Sequence, residues 1–291
     1  MLEVEIAGIK MKNPLMLASG ILDLTKESME KFKDAGAVVT KSIGREARKG
    51  YKNPVFYETE CGILNAIGLA NPGIDEYLKE INGIKVENLI GSIFGKDENE
   101  FSHLARKFTP YVKAIEMNMS CPHAKKVGAE YPTEEIKGAV ESAKKARKPV
   151  FVKLGMENIL ERAENAIEGG ADAIVAINSV KAMAINVDVA MPVLGNKVGG
   201  YSGRAIKPIG VRCVYELASN FDLPIIGVGG ISKAEDVIEY MMAGAKAVQI
   251  GTAIYYEGEK IFGKICRDLE IWLDKHGYTN INDVVGMALK K

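Results

Sequence analysis

Short apolar runs rich in β-branched residues recur along the chain and alternate with stretches of helical periodicity. The runs are almost continuously apolar, as is typical of parallel strands buried on both faces. Eight such strands are predicted, at Leu15–Ala18, Ala37–Lys41, Leu89–Ile93, Ala114–Met117, Val150–Lys153, Ala173–Ile177, Ile225–Val228 and Ala247–Ile250. Amphipathic helices are predicted between them at Lys26–Ala35, Glu135–Ala146, Ile159–Gly169, Ile209–Ala218 and Ala234–Ala243. This alternation predicts an α/β fold of the (β/α)8 TIM barrel type.

Three segments lie outside this alternation. Leu2–Met11 alternates polar and apolar residues, which predicts a short hairpin at the barrel floor. Gly44–Asn71 and Gly195–Ile206 have no helical period and are predicted to be long loops after the second and sixth strands. Long loops after barrel strands build the face that holds the active site. Because no linker-like segment interrupts the pattern, residues 1–291 are predicted to form a single barrel domain.

Composition narrows the possible classes of function. The 291 residues include 38 basic and 38 acidic ones, and this balance argues against a nucleic-acid-binding face. No signal peptide and no apolar stretch long enough for a membrane span is visible, so a cytoplasmic protein is expected. The cysteines Cys61, Cys121, Cys213 and Cys266 are far apart, so neither a disulfide framework nor a metal or iron–sulfur site is expected in this chain.

Glycines follow both the seventh and the eighth predicted strand. Gly229-Gly230 ends one run and Gly251-Thr252 ends the next. Loops at these two places commonly bind a phosphate, because glycine lets backbone N–H groups approach its oxygens. Flavin mononucleotide (FMN), sugar phosphates and pyridoxal phosphate all fit such a site, and the glycines could instead serve only to make tight turns.

Candidate catalytic groups follow other strands. Cys121 lies just after the fourth strand and could act as a base, a nucleophile or a small buried filler. Lys41 and Lys153 end apolar runs, where a lysine is costly unless it meets an anion or a hydrogen-bond partner. Asn65 and the backbone around Ile67–Leu69 could bind an anion or simply form a turn.

Nearly the whole chain resembles the dihydroorotate dehydrogenase family. The most specific motifs are Asn65-Ala66-Ile67-Gly68-Leu69, Asn118-Met119-Ser120-Cys121-Pro122 and Gly200-Tyr201-Ser202-Gly203-Arg204. Cys at position 121 is similar to the soluble class 1 enzymes, whereas membrane-bound members have Ser. The motifs resemble the heteromeric class 1B branch, in which a homodimeric catalytic core binds a second subunit that carries FAD and an iron–sulfur cluster.

The resemblance implies an FMN enzyme that oxidises dihydroorotate to orotate in de novo pyrimidine (UMP) biosynthesis. A hydride would pass from C6 of the substrate to N5 of FMN, and Cys121 would take the proton from C5, with Lys41 stabilising negative charge. The residues implied to bind substrate are Lys41, Asn65, Ile67, Gly68, Leu69, Asn118, Asn178 and Ser179. Those implied to bind FMN are Ala18, Ser19, Gly20, Lys41, Ser42, Asn118, Lys153, Ile177, Gly203, Gly229, Gly230, Gly251 and Thr252.

Two positions depart from the family pattern and leave competing functions open. His123 stands where the family usually has Asn, and Ser-Cys-Pro-His is similar to the pyrimidine domain of dihydropyrimidine dehydrogenase, which acts on uracil and thymine. Ser92 stands where relatives often have Asn near the flavin. A flavin-free barrel lyase that uses Lys41 or Lys153 as a Schiff base also competes, as does a non-catalytic binding barrel.

Overall fold

The computed structural model describes residues 1–120 and 131–290. Its strands in chain order are β1 (Val4–Ile6), β2 (Ile9–Met11), β3 (Leu15–Leu17), β4 (Ala37–Val39), β5 (Phe56–Thr59), β6 (Gly62–Asn65), β7 (Leu89–Ile93), β8 (Ala114–Asn118), β9 (Val150–Leu154), β10 (Ala173–Ala176), β11 (Val180–Ala182), β12 (Ile185–Asn186), β13 (Met191–Pro192), β14 (Gly199–Ser202), β15 (Ile225–Val228) and β16 (Ala247–Ile250).

The α-helices of the described residues are α1 (Lys26–Glu30), α2 (Ile74–Glu80), α3 (Glu98–Phe108), α4 (Ile136–Lys144), α5 (Ile159–Glu168), α6 (Lys207–Asn220), α7 (Ala234–Met242), α8 (Ala253–Glu257) and α9 (Ile261–His276). Side chains cap the N-termini of α1 and α3. Thr25 accepts a hydrogen bond from the N–H of Ser28, and Asp97 accepts one from the N–H of Glu100. No helix of the described residues is long and apolar enough to cross a membrane.

Eight parallel strands form a closed barrel in the order β10-β15-β16-β3-β4-β7-β8-β9. Each coincides with one of the eight strands predicted from the apolar runs, so the predicted (β/α)8 barrel is confirmed. Both faces of these strands are covered, and the residues of β9 and β10 are all buried. Strands that are buried on both faces consist almost entirely of apolar residues, and for this reason the apolar runs in the sequence indicated their positions. The predicted helix Lys26–Ala35 is shorter than expected, because α1 ends at Glu30.

The N-terminal end of the barrel is closed by the predicted hairpin. β1 and β2 pair antiparallel, with Val4 opposite Met11 and Ile6 opposite Ile9. All four of these side chains are buried in the main core. Asn88, directly before β7, donates to the carbonyl oxygen of Lys10, which fixes the hairpin to the barrel.

A second, four-stranded antiparallel sheet stands at the other end of the barrel in the order β11-β14-β6-β5. The prediction that Gly44–Asn71 and Gly195–Ile206 are long loops missed strands within them, since β5 and β6 lie in the first segment and β14 in the second. The strand β5 is largely exposed and has no alternation of buried and exposed residues. Its extended conformation comes from pairing with β6, and such pairing leaves no hydrophobic pattern in the sequence.

Candidate active site

A cavity of about 1320 Å³ opens at the carboxyl end of the barrel strands, beneath the four-stranded sheet. All the described residues that the sequence implied to bind substrate or FMN lie on its walls. They are Ala18, Ser19, Gly20, Lys41, Ser42, Asn65, Ile67, Gly68, Leu69, Asn118, Lys153, Ile177, Asn178, Ser179, Gly203, Gly229, Gly230, Gly251 and Thr252. Cys121 and His123 lie outside the described residues.

The glycines after β15 and β16 present backbone donors to this cavity. The N–H groups of Gly229, Gly230, Gly251 and Thr252 meet no acceptor within residues 1–120 and 131–290. Gly230 has φ +69°, and a Cβ atom there would lie 2.8 Å from the carbonyl oxygen of Gly203. Four N–H groups without a protein acceptor on one cavity wall fit an anionic group such as a phosphate, because glycine lets these donors approach its oxygens closely.

A buried carboxylate supports the loop that carries Gly229 and Gly230. Asp236, in the first turn of α7, accepts hydrogen bonds from the backbone N–H groups of Ser232 and Lys233 and forms an ion pair with Lys207 at 2.8 Å. Burial raises the pKa of Asp236, but the hydrogen bonds from Lys207 and Ser232 outweigh it and leave the pKa below its usual value.

Replacing Asp236 by Asn should therefore destabilise the protein at neutral pH, by about 1–3 kcal/mol. Since the folded-state pKa is depressed, this contribution is present above the unfolded-state pKa of about 4 and is lost as the pH falls through the lower folded-state pKa. Urea unfolding of wild type and variant at pH 7 and pH 3.5 measures the difference, which should shrink at the lower pH. Glu235→Gln, at an exposed neighbouring carboxylate, should change stability little at either pH.

Three polar side chains cross the interior of the barrel at the bottom of the cavity, and two of them, Lys153 and Gln249, line it. The ammonium group of Lys153 on β9 donates to Gln249 Oε1 on β16 at 3.0 Å. Gln249 Nε2 donates to Glu116 Oε2 on β8 at 2.5 Å, and Glu116 Oε1 lies 3.9 Å from Lys153 Nζ. All three are almost completely buried. Lys153 thus has the anionic partner that a lysine in an apolar run requires.

A chain of hydroxyl and amide groups joins neighbouring strand ends around the cavity. Ser42 Oγ lies 3.2 Å from Ser19 Oγ and 2.8 Å from Ser92 Oγ, and it accepts from Asn118 Nδ2 at 3.2 Å. Asn178 Nδ2 donates in turn to Asn118 Oδ1 at 3.3 Å. These contacts fix the amide of Asn118 with its oxygen toward Asn178, so its orientation in the cavity is determined by the protein.

A second cavity lysine, Lys41, lies near a buried carboxyl group. Asp23 accepts a hydrogen bond from the N–H of Gly20, and its own carbonyl oxygen accepts from the N–H of Lys41 at 3.1 Å and from the hydroxyl of Tyr77 at 2.8 Å. Burial raises the pKa of Asp23, while the ammonium group of Lys41 opposes this rise. Asp23 therefore connects the Gly20 turn to the strand end that carries Lys41. It is not among the residues predicted from the sequence.

A second set of unpaired backbone donors lies across the cavity, in the segment after β6. The N–H groups of Ile67, Gly68 and Leu69 meet no acceptor in the described part of the chain. Gly68 and Leu69 both have positive φ, +72° and +57°, and their backbone therefore curves around the cavity. Successive N–H groups in such a curve form an anion-binding concavity.

Asn65 and Ser179 are brought beside this concavity by close packing of the upper sheet. Gly200 on β14 pairs with Asn65 on β6. A Cβ atom at Gly200 would lie 2.1 Å from the hydroxyl oxygen of Ser179, so this position requires glycine. The Asn65 amide donates to the Gly200 carbonyl oxygen at 3.4 Å, which leaves its oxygen available to a ligand.

The chain just before and just after segment 121–130 is held together by hydrogen bonds. Tyr131 donates its N–H to the carbonyl oxygen of Met119 at 3.1 Å. The buried guanidinium group of Arg162 on α5 donates to both carbonyl oxygens, to that of Met119 at 3.0 Å and to that of Tyr131 at 2.8 Å. The positions where the chain enters and leaves this segment are therefore fixed at the end of β8.

Several cavity residues are not among those predicted from the sequence. Tyr51, Cys61 and Gln249 line the cavity, and the aromatic rings of Phe56 and Tyr255 pack 5.2 Å apart at its rim. Tyr51, Cys61 and Phe56 lie in the segment interpreted as an irregular loop, where no strand alternation indicates which side chains face inward. Gln249 could have been found, because a lone polar residue inside the run Ala247–Ile250 is as unusual as Lys153. Among the described residues, no group of three His, Cys, Asp or Glu side chains could hold a metal ion.

Known proteins of similar sequence show the family to which this chain belongs. The family model described as dihydroorotate dehydrogenase matches residues 1–273. The chain belongs to this family. A relative from Methanocaldococcus jannaschii is 48% identical over 99% of this chain and 98% of its own length, and one from Pyrococcus abyssi is 46% identical over the full length of both. One from Thermoplasma acidophilum is 46% identical over 99% of both chains. All three are named dihydroorotate dehydrogenase B (NAD(+)), catalytic subunit.

The position that departs from the dihydroorotate dehydrogenase pattern within the described residues is Ser92. Its side chain is completely buried on β7 and is not among those that line the cavity. Its hydroxyl group forms a hydrogen bond with Ser42, whose side chain does line the cavity. In this member of the dihydroorotate dehydrogenase family, Ser92 thus contacts a residue of the cavity wall, Ser42, and does not itself line the cavity.

Proposed function

We propose that this chain is an FMN-dependent enzyme that oxidises dihydroorotate to orotate in pyrimidine biosynthesis. The observation that carries the proposal is one cavity with two separate sets of unpaired backbone donors, one after the last two barrel strands and one at Ile67–Leu69. A phosphate-bearing cofactor and a carboxylate-bearing substrate would satisfy the two sets. Membership of the dihydroorotate dehydrogenase family supports the same assignment.

The residues on the cavity wall fit FMN. When bound, FMN supplies the hydride acceptor, which no amino-acid side chain can provide. The N–H groups at Gly229, Gly230, Gly251 and Thr252 would hold its phosphate, with the Thr252 hydroxyl nearby. Lys41, Lys153 and Asn118 would supply polar contacts to its ring system. The remaining residues proposed to surround it are Ala18, Ser19, Gly20, Ser42, Ile177 and Gly203.

The substrate would occupy the space between that wall and the upper sheet. The N–H groups of Ile67, Gly68 and Leu69 would receive its carboxylate. Cys121 is the proposed base for the proton at C5, and Lys41 would stabilise the negative charge that develops. The amides and the hydroxyl proposed to hold the pyrimidine ring are those of Asn65, Asn118, Asn178 and Ser179.

The absorbance spectrum of the purified protein, with and without dihydroorotate, tests this function. We expect a yellow protein with about one FMN per chain, whose flavin absorbance is bleached by dihydroorotate without oxygen. A colourless protein that cannot be reconstituted with FMN would contradict the proposal and would favour a flavin-free barrel enzyme. Flavin that is bleached equally well by dihydrouracil would favour a dihydropyrimidine dehydrogenase-like activity.

Asn65→Ala should weaken dihydroorotate binding by roughly 1–3 kcal/mol, because a buried polar partner of the substrate is removed. Dihydrouracil lacks the carboxylate, so wild type should prefer dihydroorotate, and the ratio of the two kcat/KM values is the measurement. Asn196→Ala is a matched control: Asn196 also lines the cavity, but its amide donates to the carbonyl oxygen of Val198 within its own turn. Equal kcat/KM values for the two substrates in wild type would mean that the carboxylate assignment is wrong. Equal dihydroorotate binding by Asn65→Ala and Asn196→Ala would mean that Asn65 does not contact the substrate.

The electron path is proposed to continue in a second subunit that carries FAD and an iron–sulfur cluster, bound to a homodimeric core of this chain. The names of the relatives as catalytic subunits support such an assembly. The exposed apolar side chains of Ile185, Val187 and Met191, on and between β12 and β13, support burial of that hairpin in an interface.

We also propose a cytoplasmic location, where the described cysteines would remain free thiols as they are in the structure.

Purification from the native cells tests this assembly. An FAD- and iron–sulfur-containing protein should copurify with the chain, and NAD reduction should require it. If the isolated chain reduced NAD at the full rate of the native preparation, the proposed partner would be unnecessary. Fumarate reduction by the isolated chain would move the assignment to the homodimeric branch.

A further inference from the structure

The cluster formed by Glu116, Gln249 and Lys153 is buried and contains two charged groups. Of the three residues, only Lys153 has a role in the proposed function. In the closed barrel, β8 and β16 are four strands apart in either direction, so Glu116 and Gln249 meet across the barrel interior. Lys153 and Gln249 line the cavity, whereas Glu116 lies beneath them, completely inaccessible. The three side chains therefore form a layer directly under the site proposed for FMN.

The hydrogen bonds of the cluster determine how Gln249 is oriented. Its amide nitrogen faces the carboxylate of Glu116 and its oxygen faces the ammonium group of Lys153. The reverse orientation would place a donor against a cation and an acceptor against an anion. Through these two hydrogen bonds, Gln249 links the position of Lys153 to that of Glu116. Glu116 Oε1 has no hydrogen-bond partner in the described part of the chain, so this carboxylate is held by Gln249 and by its proximity to Lys153.

We infer that Glu116 and Gln249 are positioning residues that set how strongly Lys153 favours reduced over oxidised FMN. This inference rests on the proposed function, in which FMN lies over Lys153. An ammonium group beside the ring system stabilises the negative charge that reduction adds, and a carboxylate 3.9 Å behind that ammonium group weakens the effect. Because water is excluded from this layer, the opposing charges are screened much less than on the surface.

The geometry also explains why a buried carboxylate would be retained there. A buried ion pair contributes little net stability compared with apolar residues of the same volume. A role in stability alone therefore does not account for Glu116. A role in fixing the charge and position of Lys153 does, since the ammonium group has no other hydrogen-bond acceptor among the described side chains.

Removing the carboxylate charge should shift the balance toward reduced flavin. In Glu116→Gln, we expect the affinity for reduced FMN relative to oxidised FMN to rise about tenfold, which for a two-electron couple is a rise in midpoint potential of about 30 mV. In Gln249→Glu, which places a second negative charge beside Lys153, the ratio should move in the opposite direction. The measurements are the midpoint potential by dye-equilibrated photoreduction and the dissociation constant of oxidised FMN from the reconstituted apoprotein.

Asp172→Asn is the matched control, because it also removes one carboxylate charge from an ion pair with a lysine, here Lys144, but lies outside the cavity wall. The midpoint potential of FMN in Asp172→Asn should equal that in wild type. Opposite shifts in the two cluster variants support the inference, and a packing role would not produce them. Either variant that folds decides the question by the sign of its shift, and an unchanged potential overturns it. If wild type itself binds no FMN, the proposed function fails, which distinguishes that outcome from a failure of this inference alone.

Discussion

Replacing Cys121 by Ala should slow bleaching of the flavin by dihydroorotate by a factor on the order of 10²–10⁴, the usual contribution of a positioned base. FMN content and orotate binding should be retained, because the thiol is not proposed to contact either the phosphate or the carboxylate. Stopped-flow absorbance without oxygen isolates this half-reaction from the later electron path. Cys61→Ala is the matched control, since Cys61 is a thiol that lines the cavity without a proposed role, and it should react like wild type.

The pH dependence of the same half-reaction gives an independent check. An ordinary thiol has a pKa near 8.5, and only the thiolate accepts a proton. The rate of bleaching should therefore rise with pH through the titration of the thiol and level off above it. Cys121→Ser should retain activity only at higher pH, because a hydroxyl is a much weaker acid. If Cys121→Ala is bleached as fast as wild type, the base must be sought at His123 or Lys41.

Replacing Gly230 by Ala should lower the affinity for FMN on the order of 10²-fold, or about 2.7 kcal/mol. Its φ of +69° is unfavourable for alanine by roughly 1–2 kcal/mol. The added Cβ atom would also lie 2.8 Å from the carbonyl oxygen of Gly203 and 3.0 Å from the backbone nitrogen of Lys207. The loop would have to move, and its N–H groups would no longer converge on the phosphate.

Gly258→Ala separates the loss of the site from general backbone strain. Gly258 has nearly the same φ, +67°, but no atom lies within 4 Å of the position its Cβ would take, and it does not line the cavity. This variant should lose a similar amount of stability from backbone strain and keep wild-type affinity for FMN. Equilibrium titration of the apoproteins with FMN, beside thermal unfolding, distinguishes the two effects. Equal FMN affinity in both variants would mean that the Gly229–Gly230 turn does not hold the cofactor.

The barrel could be predicted from the sequence because its strands are buried on both faces. Runs such as Val150–Lys153 and Ala173–Ile177 leave almost no polar position, and no other common architecture requires eight of them separated by helices. The cavity wall followed from the same reasoning, because polar residues and glycines at the ends of parallel strands must meet at one end of a barrel. Positions such as Lys41, Asn118 and Gly251 can therefore be assigned to one site without knowledge of any distance.

The upper sheet and the interior cluster could not be predicted in the same way. The strands β5 and β14 are short and partly exposed, and they are kept extended by pairing, β5 with β6 and β14 with both β6 and β11. Glu116 lies in an apolar run, but nothing in the sequence indicated that its partner would be Gln249, 133 residues away on the opposite side of the barrel. Long-range polar pairs depend on strand register and side-chain length, which a local pattern does not contain.

Pairing of β6 with β14 has a consequence for the rate at which ligands exchange. The strands belong to two connections that leave the barrel at different places, after β4 and after β10, yet they are joined by backbone hydrogen bonds beside Asn65 and Gly200. The two connections cannot open independently without breaking that pairing. Ligand entry past the sheet should then require both to move as one body, and orotate release should follow a single slow exponential instead of a spread of fast loop motions.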